Sequence, residues 1–195
     1  SDRNRGVYFG GYGTTAEIRF NDIATASSTS DFGDLSAGRW AVTGASDGVR
    51  GLALGGTAGP STIGAGVNEI EYVTIQATGN AVDFGDLLKE LAGCSSCNSP
   101  TRAITFGGVE DSPNSATTDI QYITMSTLGN ASDFGDLSNV RMGAGALASP
   151  TRALFIGGSN SPATPSTFYA SIDRVEIAKA GDASDYGELT EATRH

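Results

Sequence analysis

Histidine is almost missing from this chain, lysine nearly so, and no long apolar run interrupts its 195 residues. The single histidine is His195, the last residue, so neither a Ser-His-Asp nor a Cys-His arrangement has a held base. Only Lys89 and Lys179 are lysines, and the net charge is −10. Such a chain repels phosphate backbones, which argues against nucleic acid as a partner and, equally, against anionic membranes. No stretch of eighteen apolar residues is present to span a bilayer as a helix. The polar opening Ser1–Arg5 lacks the basic, apolar character of a leader. No dense Asp-x-Asp-x-Asp-Gly cluster is present, so no metal is expected, and nothing in the chain calls for a cofactor.

What is abundant is glycine, with 27 residues against only 17% charged and 38% hydrophobic. That balance suits many short strands joined by turns rather than packed helices. The strands recur. Asp-Phe-Gly-Asp-Leu begins at Asp31, Asp83 and Asp133, and returns as Asp-Tyr-Gly-Glu-Leu at Asp185. An arginine, an apolar run and a Gly pair begin at Arg5, Arg50, Arg102 and Arg152, with the first Gly always five residues on. Ile18, Ile70, Ile120 and Ile172 each stand thirteen residues before a motif aspartate, and Leu35, Leu87 and Leu137 fifteen before the next arginine. All length variation lies between the Gly pair and the isoleucine, where the gap is 7, 14, 12 and 14 residues. A constant core with one elastic loop is the mark of a repeated structural unit that takes insertions at one surface point.

The expected fold is therefore all-β: four repeats of about 45–52 residues, units 1–38, 39–90, 91–140 and 141–195, each a four-stranded antiparallel sheet. The first strand is predicted over Trp40–Ala45 and Met142–Leu147, the second ends at the Gly pair, the third is Ile70–Ile75 and its equivalents, and the fourth carries the aspartate motif. Apolar residues on both faces of the third strand predict sheets covered from both sides. The window holds four second, third and fourth strands but three first strands, so the terminal unit reads as incomplete. Either the chain is a segment of a longer array, the favoured reading, or another chain supplies the strand.

The combination of arginine, Gly-paired strand, variable loop, aromatic-bearing strand and aromatic-leucine strand resembles a kelch repeat, the unit of a four-stranded propeller blade. More narrowly, Arg-Gly-Leu-Ala-Leu-Gly-Gly, Ile-Glu-Tyr-Val-Thr-Ile and Thr-Gly-Asn-Ala-Val-Asp-Phe-Gly-Asp-Leu are similar to repeats in virion proteins of marine tailed phages. The resemblance implies a propeller in a tail, fibre or other appendage, located on the virion. Its partners would be other virion subunits or further repeats, and a host surface glycan as ligand. The tryptophan usual in the fourth kelch strand is replaced here by Phe or Tyr. The copper-oxidase relatives of kelch proteins need histidine and tyrosine ligands that this chain cannot assemble. The competing reading is a secreted cellular propeller that binds carbohydrate or protein; a glycan-processing enzyme is a weaker third.

Repetition in phase points to architecture. Asp31, Asp83, Asp133 and Asp185 are expected in Asx-type turns rather than a calcium site, with Asn80, Asn130 and Asp182 as further turn formers. Arg5, Arg50, Arg102 and Arg152 are expected to bridge neighbouring sheets, with Arg39 and Arg141 as a second ring. Cys94 and Cys97 break the pattern. A lone Cys-x-x-Cys lacks the second ligand pair that zinc needs. Three strand residues separate Cα atoms by ~10 Å, beyond the ~7 Å disulfide limit, so buried free thiols are expected. For binding, Tyr12, Trp40, Phe168 and Tyr169 fall in the elastic loops and crossings that share one end of the sheets. Aromatic rings beside Thr, Asn and Ser there suit carbohydrate, although Trp40 as packing between sheets, like Met142, is the competing assignment.

Overall fold

The computed structural model describes residues 4–59, 65–111, 115–161 and 167–192, and among these no helix occurs. Four antiparallel sheets follow one another along the chain. The first contains β1 (Arg5–Phe9), β2 (Glu17–Asp22) and β3 (Ser30–Asp34). The second contains β4 (Thr43–Ser46), β5 (Arg50–Leu54), β6 (Val67–Thr74) and β7 (Val82–Ala92). The third is built from β8 (Ser95–Asn98), β9 (Arg102–Phe106), β11 (Asp119–Thr124) and β12 (Ser132–Asp136). Between β9 and β11, the two-residue β10 (Val109–Glu110) crosses over to pair with the end of β7 in the second sheet. The fourth is β13 (Gly145–Ala148), β14 (Arg152–Ile156), β15 (Ser171–Glu176) and β16 (Ser184–Glu188).

The repeated residues take repeated places because each is held by the same ladder. In every sheet the isoleucine pairs with the Gly of the aspartate motif: Ile18 with Gly33, Ile70 with Gly85, Ile120 with Gly135, Ile172 with Gly187. Immediately after each pair the register slips by a bulge, with the Gly at φ between +141° and +147°. Such a backbone favours glycine. The extra residue lies on the motif strand, so the isoleucine strand keeps its ordinary alternation, and Ile70 and Tyr72 serve one interface while Val73 serves the other.

Strands β4, β8 and β13 lie side by side as the inner edges of three sheets. They begin later than the sequence predicts. Trp40 and Met142 make only single bridges, to Thr57 and Ser159. The reason is local: Ala41, Gly93 and Gly143 take φ of 53°, 61° and 56°, which kinks the chain and delays the ladder by two or three residues. Side chains then tie the inner edges together: the Asn98 amide donates to Ser46 O at 2.7 Å, and Ser95 Oγ to Ala144 O at 2.6 Å.

Among the described residues the core is three slabs, one between each pair of consecutive sheets, with a small fourth cluster of Val109, Ala116 and Met142 beside them. The first joins Ile18 and Phe32 to Ala53 and Val73; the second joins Leu52, Ile70 and Phe84 to Ala103 and Ile123; the third joins Ile104, Ile120 and Phe134 to Phe155 and Val175. Each fully buried Leu, Ile or Phe contributes about 1.5–3 kcal/mol of hydrophobic stabilisation. No sheet is covered on both faces without its neighbours, so stability is a sum over interfaces.

Candidate functional site

The described parts of the loops after β5 and β14 lie at the same end of their sheets as the crossings that lead into them, since Trp40 bridges to Thr57 and Met142 to Ser159, and this end forms a rim. On it the structure brings Tyr12 and Trp40 together, ring centroids 5.9 Å apart and edge-on at 64°. Trp40 is fixed from beneath: its indole N–H donates to Gly59 O at 2.6 Å, and its backbone exchanges hydrogen bonds with Thr57. Tyr12 is 82% exposed. Phe168 and Tyr169 belong to the fourth sheet's loop instead. Phe168 is exposed, whereas Tyr169 is half-buried with the Arg141 guanidinium 5.4 Å from its ring centre.

Backbone strain gathers around the Tyr12–Trp40 pair. The non-glycine residues at positive φ among the described residues are Thr14 (57°), Ala41 (53°) and Ala65 (93°). Thr14 is in the Tyr12 turn and Ala41 follows Trp40; Gly93 and Gly143 hold the position of Ala41 in the next two sheets. Each such residue costs of order 1 kcal/mol or more. Strain of this kind persists where surrounding contacts over-determine the backbone, and it clusters at ligand-contacting surfaces.

Beneath the rim, Arg39 and Arg141 are buried between sheets. Arg39 donates to Glu71 at 2.5 Å, with Glu69 at 3.7 Å; Arg141 reaches Asp173 at 3.3 Å. Burial lowers both guanidinium pKa values, and the facing carboxylates oppose it. The partner acids were not legible as such in the sequence. Each sits beside the ruler isoleucine, and each also accepts the N–H that follows the motif leucine: Ser36 N on Glu71 at 2.9 Å, Ser138 N on Asp173 at 2.9 Å. Leu91 holds the arginine's place in the middle interface, where Gly56 N donates to Leu91 O just as Gly108 N does to Arg141 O. The acid's place there is held by the neutral amide of Gln121, whose Oε1 takes the Leu88 N–H at 2.7 Å. Arginine and carboxylate therefore disappear together.

The other arginine set lies at the start of the second strands. Arg5 donates to Ile75 O at 2.8 Å, Arg50 to Ser126 O at 3.3 Å and Arg102 to Ile177 O at 2.9 Å, each reaching into the following sheet. Arg5, Arg50 and Arg102 also lie over Phe20, Tyr72 and Tyr122. Arg152, exposed, pairs with Glu176 of its own sheet at 2.8 Å, which raises its pKa.

The aspartate motif works differently from an Asx turn. Among the described residues, no hydrogen bond involves the carboxylates of Asp31, Asp83, Asp133 or Asp185, which sit on exposed residues. The capping is done across the interface, by the turn three residues upstream of the next motif. Asn80, Asn130 and Asp182 each accept the N–H of Asp34, Asp86 and Asp136 at 3.1 Å. Gly79, Gly129 and Gly181 donate to Phe32 O, Phe84 O and Phe134 O. A Cβ on Gly33, Gly85 or Gly135 would strike the carbonyl of that same turn, so the motif glycine makes room for the clasp.

Cys94 and Cys97 are free and buried, and they enter different slabs, with Leu54 and Leu91 in one case and Ile104 and Phe106 in the other. Burial pushes both thiols up to about 12. Among the described residues no group of three His, Cys, Asp or Glu side chains is placed to hold a metal, and no helix is long and apolar enough to cross a membrane.

No family model and no curated protein matches the chain. Among solved structures the fold is similar to that of YjhT, with a TM-score of 0.77 at 12% identity. The likeness takes in 98% of this chain and 64% of YjhT, so the chain spans under two thirds of that structure's length. It establishes a β-propeller-like all-β fold.

Proposed function

We propose that the chain is a kelch-like propeller module of a phage virion appendage, non-catalytic, whose rim contacts a host-surface glycan. The four sheets are read as consecutive blades of a longer array, docked to further repeats or other virion subunits. The observation that carries the binding reading is Tyr12, 82% exposed, edge-on against an anchored Trp40 and flanked by strained Thr14 and Ala41. An aromatic held this way presents a flat apolar face for sugar C–H groups with little side-chain entropy left to lose. The net charge of −10 favours neutral sugars over sialylated ones. The virion setting rests on the sequence resemblance.

Glycan-array binding of the purified chain is the test. Tyr12→Ala should reduce binding at least tenfold with unchanged thermal unfolding, because Tyr12 bears little of the packing. Trp40→Ala is the poorer probe, since it also removes the bond to Gly59. Binding that survives Tyr12→Ala defeats the proposed rim site. Glycan turnover that is lost on substituting one carboxylate would replace the non-catalytic reading with an enzyme.

A further inference from the structure

The two outward faces of the array differ in kind. Positions facing a preceding sheet are Ala53, Thr105 and Phe155, all fully buried, but Tyr8 in the first sheet, 53% exposed. Likewise Val73, Ile123 and Val175 become Asn21, which takes the Tyr8 hydroxyl at 3.0 Å. Glu71, Gln121 and Asp173 become Arg19, paired with Glu17. The clasp residues Gly79 and Asn80 become Ser27 and Ser28. This leading face is polar, as terminal faces of repeat arrays are.

The face of the fourth sheet that looks away from the array keeps the interior chemistry. Phe32, Phe84 and Phe134 are each 2% exposed, whereas their equivalent Tyr186 is 55% exposed. Leu147 is 61% exposed, where Ala45 and Cys97 are buried. Leu154, Tyr186 and Leu147 line a groove of about 300 Å³ with Arg152. Gly187 keeps its φ of 147° with nothing within 4 Å of the Cβ position, where Gly33, Gly85 and Gly135 are each covered by a turn. Among the described residues, the Glu188 N–H has no counterpart of the acceptor that Asn80, Asn130 and Asp182 supply.

We infer that this trailing face is a docking surface for another sheet of the same repeat, one whose incoming face is like those of the second to fourth sheets. The occupant's chemistry is specified three times over in the molecule itself. It is a residue at the Ala53 position that the seam buries completely, as it does Ala53, Thr105 and Phe155, with Val or Ile at the Val73 position and a Gly-Asn or Gly-Asp turn that caps Glu188 N and fills the space above Gly187. The polar leading face disqualifies the first sheet of a second copy. The inference rests on the reading of the sheets as consecutive blades of a longer array and is independent of whether the rim binds glycan.

A chain in which a copy of residues 39–92 follows residue 192 keeps the leucine-to-arginine spacing and tests the surface directly. Hydrogen exchange at Glu188 should slow at least tenfold relative to the unextended chain. The slowing should vanish when the added copy carries Ala53→Tyr and Val73→Asn, the residues of the leading face. An added sheet that remains unprotected, or that folds while Glu188 exchanges at its original rate, overturns the inference. So does equal slowing in the Tyr-and-Asn control. Tyr186→Glu in the unextended chain should leave exchange in the first three sheets unchanged; slowed or accelerated exchange there would show that the face already serves an internal contact.

Discussion

Two of the three seams between sheets enclose an arginine–carboxylate pair, and the middle one encloses Leu91 and Gln121 at the same places. Around the middle pair, the second sheet is lengthened instead. Strand β7 continues to Ala92, β10 pairs with its end, and Lys89 reaches both Glu110 and Asp119 at 2.6 Å. A buried charge pair has been exchanged for apolar packing and a half-exposed clasp at the rim. The exchange is physically coherent because a buried pair costs desolvation that its Coulomb attraction barely offsets, while half of a pair is severely destabilising. Both members change, or neither does.

Breaking the pair in one seam should produce the largest effect. Arg141→Leu strands Asp173 beside Ser138 and should cost about 3–5 kcal/mol, measured by urea unfolding. Adding Asp173→Gln, which imitates the middle seam, should recover most of that loss. A double variant as unstable as the single one would show that the two residues are not coupled. The reciprocal experiment sharpens the comparison: Leu91→Arg alone should destabilise by about 3 kcal/mol, and Leu91→Arg with Gln121→Glu by about 1–2 kcal/mol less.

Alkaline pH should weaken the slabs next. The folded-state pKa of Cys94 and Cys97 is raised from 9.0 to about 12, so the folded chain retains protons that the unfolded chain releases. The contribution is therefore constant below pH 9 and stability falls as pH rises from 9 toward 12. Cys94→Ala should flatten the decline contributed by the middle seam, and a slope unchanged in that variant would exclude the thiol as its source. Smallest is Lys89→Met. Hydrogen bonds to Asp119 and Glu110 raise the Lys89 pKa, but its side chain is 42% exposed and screened. A loss of about 0.5 kcal/mol is expected, concentrated at low salt; a loss comparable to that of Arg141→Leu would make the clasp, not the packing, the main substitute for the missing pair.

The glycines, rulers and apolar alternation made the all-β sheets legible, because strand period and turn chemistry are local properties of a chain. Burial of both cysteines was legible too, since the residues aligned with them are Val42, Ala144, Ala45 and Leu147. Two features were readable only in part. The delayed inner strands follow from a left-handed residue at Ala41, Gly93 and Gly143, and an alanine there carries no sign of it. The pairing of Arg39 with Glu71 joins residues 32 apart through an interface, although the coordinated change to Leu91 and Gln121 is a trace of it in the sequence.

By itself, then, the order of residues determined that four antiparallel sheets would form and which residue types would recur in phase. Only the tertiary structure decided what those residues do for one another. Asn80 caps the sheet before its own, Tyr12 comes to rest on Trp40, and the face carrying Tyr186 lies open. The reason is that strand formation depends on neighbours along the chain and across one hairpin, whereas each of these contacts depends on how one sheet is set against the next.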